Sequence, residues 1–226
     1  MPTDKKPESK TKKARRCLTS KNLLEKKSGP IVMITNKTLK NLIGPAERRG
    51  CWEIYGKEKQ GKTSTALSLA KFMCAHQSVD YISAEEGMDK SFQEACRRVG
   101  INKSTKIKWS EYLPLAELIE KYKKPKTAQV IIIDNMTIYA DDFKTIKLSQ
   151  MLAELKHKLI IFIAHEERKE PYPAVARMVK KLAKVYIHVA GLKGTVVSRF
   201  GDGGGDFLID KSKSSLLWGD EDIEQI

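Results

Sequence analysis

Cys51-Trp52-Glu53-Ile54-Tyr55-Gly56-Lys57-Glu58-Lys59-Gln60-Gly61-Lys62-Thr63-Ser64 is the stretch that decides the fold. Cys51–Tyr55 reads as a strand. From Lys62 to Cys74 the apolar residues Ala66, Leu67, Ala70 and Met73 fall at helical spacing. Between them, Gly56 to Thr63 fits G-x-x-x-x-G-K-[ST], and it fits in the strand–loop–helix order that gives the motif meaning. Gly56 and Gly61 let backbone wrap closely around phosphates. Successive N–H groups and the start of the helix favour an anion. Lys62 places a point charge on the β- and γ-phosphates, and the Thr63 hydroxyl can ligate Mg²⁺. Gly56, Lys57, Glu58, Lys59, Gln60, Gly61, Lys62, Thr63 and Ser64 are therefore the expected nucleotide-binding residues, with ATP and Mg²⁺ as the expected cofactors.

A magnesium site needs a carboxylate. Val130-Ile131-Ile132-Ile133-Asp134 supplies one, at the end of a β-branched run short enough for a buried strand. Asp134 is expected to act at the metal with Thr63. Asn135 follows where many P-loop ATPases carry a catalytic glutamate, so the base must come from elsewhere. The strand Val79–Ser83 ends in Ala84-Glu85-Glu86. From a neighbouring strand Glu85 can approach the γ-phosphate as the water-activating base. Both acids also suit a helix start.

Outward from these segments, strands and helices alternate. Ile31–Ile34 reads as a short strand and Asn36–Ile43 as a helix stopped by Gly44-Pro45. Ser91–Val99, Leu113–Tyr122 and Thr145–His157 read as helices. Lys106–Trp109 and Leu159–Ala164 read as strands. Such alternation predicts an α/β fold, a mainly parallel sheet with helices on both faces. Val185–Val189, Thr195–Arg199 and Asp206–Ile209 are strand-like pieces split by glycine turns, and predict an antiparallel C-terminal edge. No internal repeat is present.

At these residues the chain resembles the RecA-like ATPases, in particular the RecA, RadA/Sms and DnaB branch and its small phage-type members. The resemblance covers about residues 31–210. Ala84-Glu85 after Tyr81-Ile82-Ser83 looks like that branch's strand ending in the catalytic glutamate. His165, after Leu159–Ala164, looks like its γ-phosphate-sensing position. Val197-Ser198-Arg199-Phe200-Gly201 is similar to the K-N-R-F-G segment of RadA/Sms, which implies that Arg199 acts on the ATP of a neighbouring subunit. The resemblance thus implies catalytic roles for Lys62, Glu85, His165 and Arg199, and a homo-oligomer with ATP between subunits. It implies a DNA-contacting loop at Glu166–Pro173, with Lys169, Arg177, Lys180, Lys181 and Lys184 in or after it. For these charges a solvated helix face is the bland alternative.

Charge points the same way. There are 42 Lys and Arg against 28 Asp and Glu, a net +14. Residues 1–28 hold ten basic and three acidic residues, a net +7 with few hydrophobes. They are expected to form a disordered basic arm, with residues 29–212 as the ATPase domain and 213–226 as an acidic, solvated tail. The basic excess suits a polyanionic partner, single-stranded DNA being favoured. Four cysteines without a C-x-x-C pair, and no apolar run long enough to span a bilayer, suggest an intracellular, cytoplasmic protein with no membrane partner.

The leading expectation is an ATP-hydrolysing, DNA-stimulated enzyme of recombination, repair or replication. A P-loop small-molecule kinase or transferase, and an ATP-gated loader or scaffold with slow hydrolysis, are the alternatives. A ParA-like ATPase is a weaker one, resting on Lys57 five residues before Lys62.

Overall fold

The computed structural model describes residues 17–200, 203–219 and 222–226. After α1 (Ser20–Leu24) and α2 (Lys37–Ile43) the chain alternates β1 (Gly50–Gly56), α3 (Lys62–Met73), β2 (Val79–Ser83), α4 (Lys90–Arg98), β3 (Ile107–Ser110), α5 (Leu115–Lys123) and β4 (Val130–Asp134). Then come α6 (Asp142–Thr145), α7 (Leu148–Glu154), β5 (Leu159–Glu167), β6 (Glu170–Tyr172) and α8 (Ala174–Leu182). β7 (Val185–Ala190), β8 (Lys193–Ser198), β9 (Gly204–Leu208) and α9 (Lys211–Trp218) follow.

The sheet runs β3-β2-β4-β5-β1-β7-β8-β9, with β6 paired to β5 alone. From β3 to β7 every neighbour is parallel; β8 and β9 are antiparallel additions. This is the α/β architecture that the alternation predicted.

Two apolar layers explain why the central strands are continuous hydrophobic runs. Val130 and Ile132 of β4 join Leu67 and Leu69 of α3 and Phe92 of α4. Ile131 and Ile133 point to the other face, with Leu118 of α5, Met151 of α7 and Val179 of α8. All four β4 hydrophobes are fully or almost fully buried, each burial contributing about 1.5–3 kcal/mol. In β7 and most of β8, buried residues alternate with half-buried ones, as expected of a sheet covered on one side.

Four local features differ from the expectations. Ile31–Ile34 forms no strand: Ile31 makes only an isolated bridge to Glu47, while Val32 N–H donates to Ala46 O. The helix expected at Thr145–His157 is shorter, Leu148–Glu154; Thr145 instead ends α6, and Ile146 between them takes an extended conformation (φ −104°, ψ 112°). Thr145 and Ile146 are both β-branched, which weakens helix there. The polar segment Glu166–Pro173, expected as a loop, is mostly a hairpin. Its turn residues Arg168 and Lys169 both have positive φ, 50° and 67°, as two-residue hairpin turns require. The fourth feature is α9, which crosses the expected tail boundary at 212/213. Gln225 forms a bridge with Leu208. Of the expected basic arm, residues 1–16 lie outside the described residues. Residues 17–28 are exposed and contain α1, whose Thr19 hydroxyl accepts from Asn22 N–H at 3.3 Å. Of the acidic tail, Asp220 and Glu221 also lie outside the described residues.

One core residue breaks the apolar pattern. Glu53 on β1 is fully buried, and neither carboxyl oxygen has a hydrogen-bond partner among the described residues. Burial pushes its pKa from 4.5 up to about 9, with Glu170 adding to the rise and Lys180 opposing it. The neutral acid therefore stabilises the fold fully below about pH 4.5, and that stability is lost as pH rises through about 9. Glu53→Gln should match the wild type in melting temperature below about pH 4.5 and already exceed it at neutral pH, the gap widening until about pH 9. Thermal melts across that range check this; parallel decline of the two proteins would refute it.

Candidate nucleotide-binding site

Register brings the chemistry together. β1 and β5 pair so that Gly56 lies opposite His165. β2 and β4 pair Ser83 with Asp134, and the turn after β2 is pinned there, Ala84 N–H donating to Asp134 O at 2.5 Å and Glu85 N–H to the same oxygen at 3.3 Å. The loop 56–61, Asp134, Glu85 and His165 thus share the carboxyl edge of the parallel strands, where α/β sheets bind ligands.

The loop itself is tightly built. A Cβ on Gly56 would stand 2.1 Å from Val189 O, so the loop can leave the sheet only with glycine there. Gly61 caps α3, and Lys62 and Thr63 occupy its first turn. Lys62 is buried, and its Nζ donates to Lys57 O at 2.7 Å. Burial lowers its pKa, opposed by Asp134 first and then by Glu85, Glu58 and Glu166.

Asp134 is buried. Tyr81 Oη donates to its Oδ2 at 2.7 Å, and Thr63 Oγ1 reaches the same oxygen at 3.5 Å. Burial raises its pKa from 3.8 to about 6; Glu85 and Glu86 push the same way, while the Tyr81 hydrogen bond and Lys62 hold it down. Such a carboxylate lacks a full counter-charge. With the Thr63 hydroxyl it forms a hard-oxygen pair suited to Mg²⁺, which takes few protein ligands and completes its shell from phosphate and water. The donor set therefore fits a magnesium–triphosphate complex.

Glu85 is half exposed. Its Oε2 accepts from Asn135 Nδ2 at 2.8 Å, and its Oε1 lies 3.6 Å from His165 Nε2. His165 Nδ1 is buried with no partner among the described residues. Ser64 is half-buried on the first turn of α3.

Lys62, Thr63, Asp134, Glu85 and His165 are thus gathered at one edge, and Arg199 is not among them. Arg199 N–H donates to Lys184 O, and Lys184 N–H donates to Cys51 O, which places Arg199 near the start of β1. Gly56 is five residues further on, roughly 17 Å at about 3.3 Å per residue. The Arg199 guanidinium donates to Lys181 O at 2.9 Å.

Three residues to which the sequence assigned no role take part. Tyr81 orients Asp134, Asn135 orients Glu85, and His188 pairs with Glu166 at 2.7 Å beside the loop. Each lies inside a segment legible only as strand or strand end, so its partner is set by register.

No protein-family model matches the chain, and no curated protein matches it. Among solved structures, the flagellar accessory protein FlaH from Methanocaldococcus jannaschii is similar, with a TM-score of 0.56 and 18% identity over 81% of this chain and 96% of that chain. The fold is RecA-like. At that identity the likeness establishes the fold alone. The RecA-like core here carries its phosphate loop after β1 and Asp134 at the end of β4, two strands away. No helix among the described residues is long and apolar enough to cross a membrane.

Proposed function

We propose that the chain is a magnesium-dependent ATPase that works as a homo-oligomer on single-stranded DNA. The observation that carries this reading is the convergence of Lys62, Thr63, Asp134, Glu85 and His165 on one edge of the sheet. Lys62 leaves Lys57 O for the β/γ-phosphates. Thr63 and Asp134 hold magnesium, which when bound neutralises charge developing on the phosphates. Glu85, steered by Asn135, takes the proton of the attacking water. His165 senses whether the terminal phosphate is present, through its Nε2 beside Glu85.

The position of Arg199 supports an oligomer. It lies too far from the loop of its own chain to meet charge on the γ-phosphate, so it serves the ATP of a neighbour. A groove of about 730 Å³ between α6–α7 and the β6–α8 segment supports the nucleic-acid partner. Lys147 and Tyr172 line it, Lys144 there being paired with Asp141 at 2.6 Å, and Arg168, Lys169 and Arg177 are exposed nearby on the hairpin and α8. Cations meet phosphates and the tyrosine can stack on a base. Lys180 and Lys184 are committed elsewhere, to Glu170 at 3.2 Å and Glu47 at 2.5 Å.

The test is phosphate release with and without single-stranded DNA, with oligomer size measured alongside. DNA is expected to accelerate release. DNA affinity is expected to fall about tenfold or more between about 50 and 200 mM salt, the loss for roughly three neutralised phosphates. Absent or salt-insensitive DNA binding sinks the nucleic-acid assignment. Failure to bind a nucleoside triphosphate sinks the whole reading.

A further inference from the structure

The outer shoulder of the phosphate loop is tied to the C-terminal helix through a single residue. Gly191, in the turn between β7 and β8, donates its N–H to Gln60 Oε1 at 2.5 Å. Its carbonyl accepts from Trp218 Nε1 at 3.1 Å and Ser214 Oγ at 3.3 Å. The loop thus holds one end of Gly191 and α9 the other. No side chain fits at the joint: a Cβ on Gly191 would stand 2.5 Å from Trp218 Nε1, and its φ is +55°. Lys193 Nζ lies 4.5 Å from the Trp218 ring centroid and steadies the indole from another side.

Apolar packing does not explain the seating of α9. Ser214 is its buried residue, whereas Leu216 and Leu217 are 85% and 63% exposed. The helix is held by the polar contacts to Gly191. The next loop residue is braced from the same direction, since Leu192 and Ile209 close over Gly61, where a Cβ would meet their side chains at 3.2 and 2.9 Å. A cleft of about 430 Å³ bounded by Lys57, Gln60, Glu166, His188 and Trp218 lies between loop and helix.

We infer that α9 is a latch on the phosphate loop. Ser214 and Trp218, acting through Gly191 and Gln60, are positioning residues that keep segment 57–61 in the shape that receives a nucleoside triphosphate. This rests on the nucleotide-binding reading above. Capture of a triphosphate requires Lys62 to leave Lys57 O while the surrounding backbone keeps its curvature. A loop tethered from outside has fewer conformations to lose at that moment, so it binds more tightly. By linkage, an occupied loop holds its tether more firmly and damps opening of α9.

Two variants cut the latch at its two ends. Trp218→Phe keeps an aromatic ring beside Lys193 and removes the indole N–H; Gln60→Ala removes the acceptor for Gly191. Affinity for the β,γ-imido analogue of ATP with magnesium is measured by calorimetry. Each single variant should bind about three- to tenfold more weakly, the loss of one intramolecular hydrogen bond. The double variant should bind no more weakly than the weaker single, because both act on one link. Amide hydrogen exchange over residues 189–193 and 211–219 should slow when the analogue binds the wild type, and should not slow in Gln60→Ala. A helix with a merely structural role would leave that difference at zero. Wild-type affinity in both variants, or slowed exchange that persists in Gln60→Ala, overturns the latch and leaves the nucleotide site standing. A wild type that binds no analogue overturns both.

Discussion

For the proposed ATPase, Glu85→Gln is expected to lower ATP turnover by about a hundredfold or more, the usual contribution of a positioned general base, and to leave nucleotide affinity within a factor of about two. Glutamine preserves the shape of the side chain, and its amide oxygen still accepts from Asn135 Nδ2, which donates to Glu85 at 2.8 Å. What it loses is the capacity to take a proton. Glu85 is well placed for that role because it is half exposed and can meet water, while the turn bearing it is fixed to Asp134 O through two backbone N–H groups. The measurement is steady-state phosphate release beside equilibrium binding of the ATP analogue. Unchanged turnover with normal binding would show that another group activates the water. A parallel loss of both would mean that the carboxylate holds the loop together instead.

Arg199→Ala should cost more, about a thousandfold in turnover, as for cationic fingers that meet charge on a transferred phosphoryl group. Affinity for the analogue should persist, since Arg199 lies at the opposite end of β1 from the phosphate loop. The decisive form of the experiment mixes two inactive proteins. Arg199→Ala supplies an intact Glu85, and Glu85→Gln supplies an intact Arg199. If the finger acts across a head-to-tail interface, an equal mixture regains roughly a quarter of the wild-type rate, the share of randomly paired interfaces that receive both groups. No recovery, with oligomers shown to exchange subunits, would remove Arg199 from the chemistry. Its bond to Lys181 O would then stand as a strut between β8 and α8.

Most of the sheet was legible because its signals are local. The run Val130–Asp134 is apolar throughout since both faces are covered, and β2 coincides with the segment Val79–Ser83 read from the chain. The hairpin β5–β6 was not legible. Its turn is Arg168-Lys169, which carries neither glycine nor asparagine to announce positive φ, and pairing of His165 with Tyr172 holds the strain. The break at Ile146 was hidden for a related reason. Leu148, Met151, Leu152 and Leu155 keep helical spacing, so periodicity alone extends the helix backwards through Thr145. Within the site, the phosphate loop and Asp134 were visible as motifs. The roles of Tyr81 and Asn135 were not, because a hydroxyl inside a strand or an amide just past its end acquires a partner only when register assigns one.

By itself the sequence located the loop 56–63, the buried strands around it, and the residue types for which phosphate and magnesium binding is proposed. These are consequences of spacing along one chain: glycines that permit tight curvature, and apolar runs that must be buried. Tertiary structure alone decided which side chains face one another. It placed Glu85 against Asn135 and His165, set Arg199 about the length of β1 away from the loop, and joined Gln60 to Trp218 through Gly191. The physical reason is that strand register and order convert separations of 27 to 131 residues into hydrogen-bond distances, and no pattern within a single segment records which strand will lie beside it.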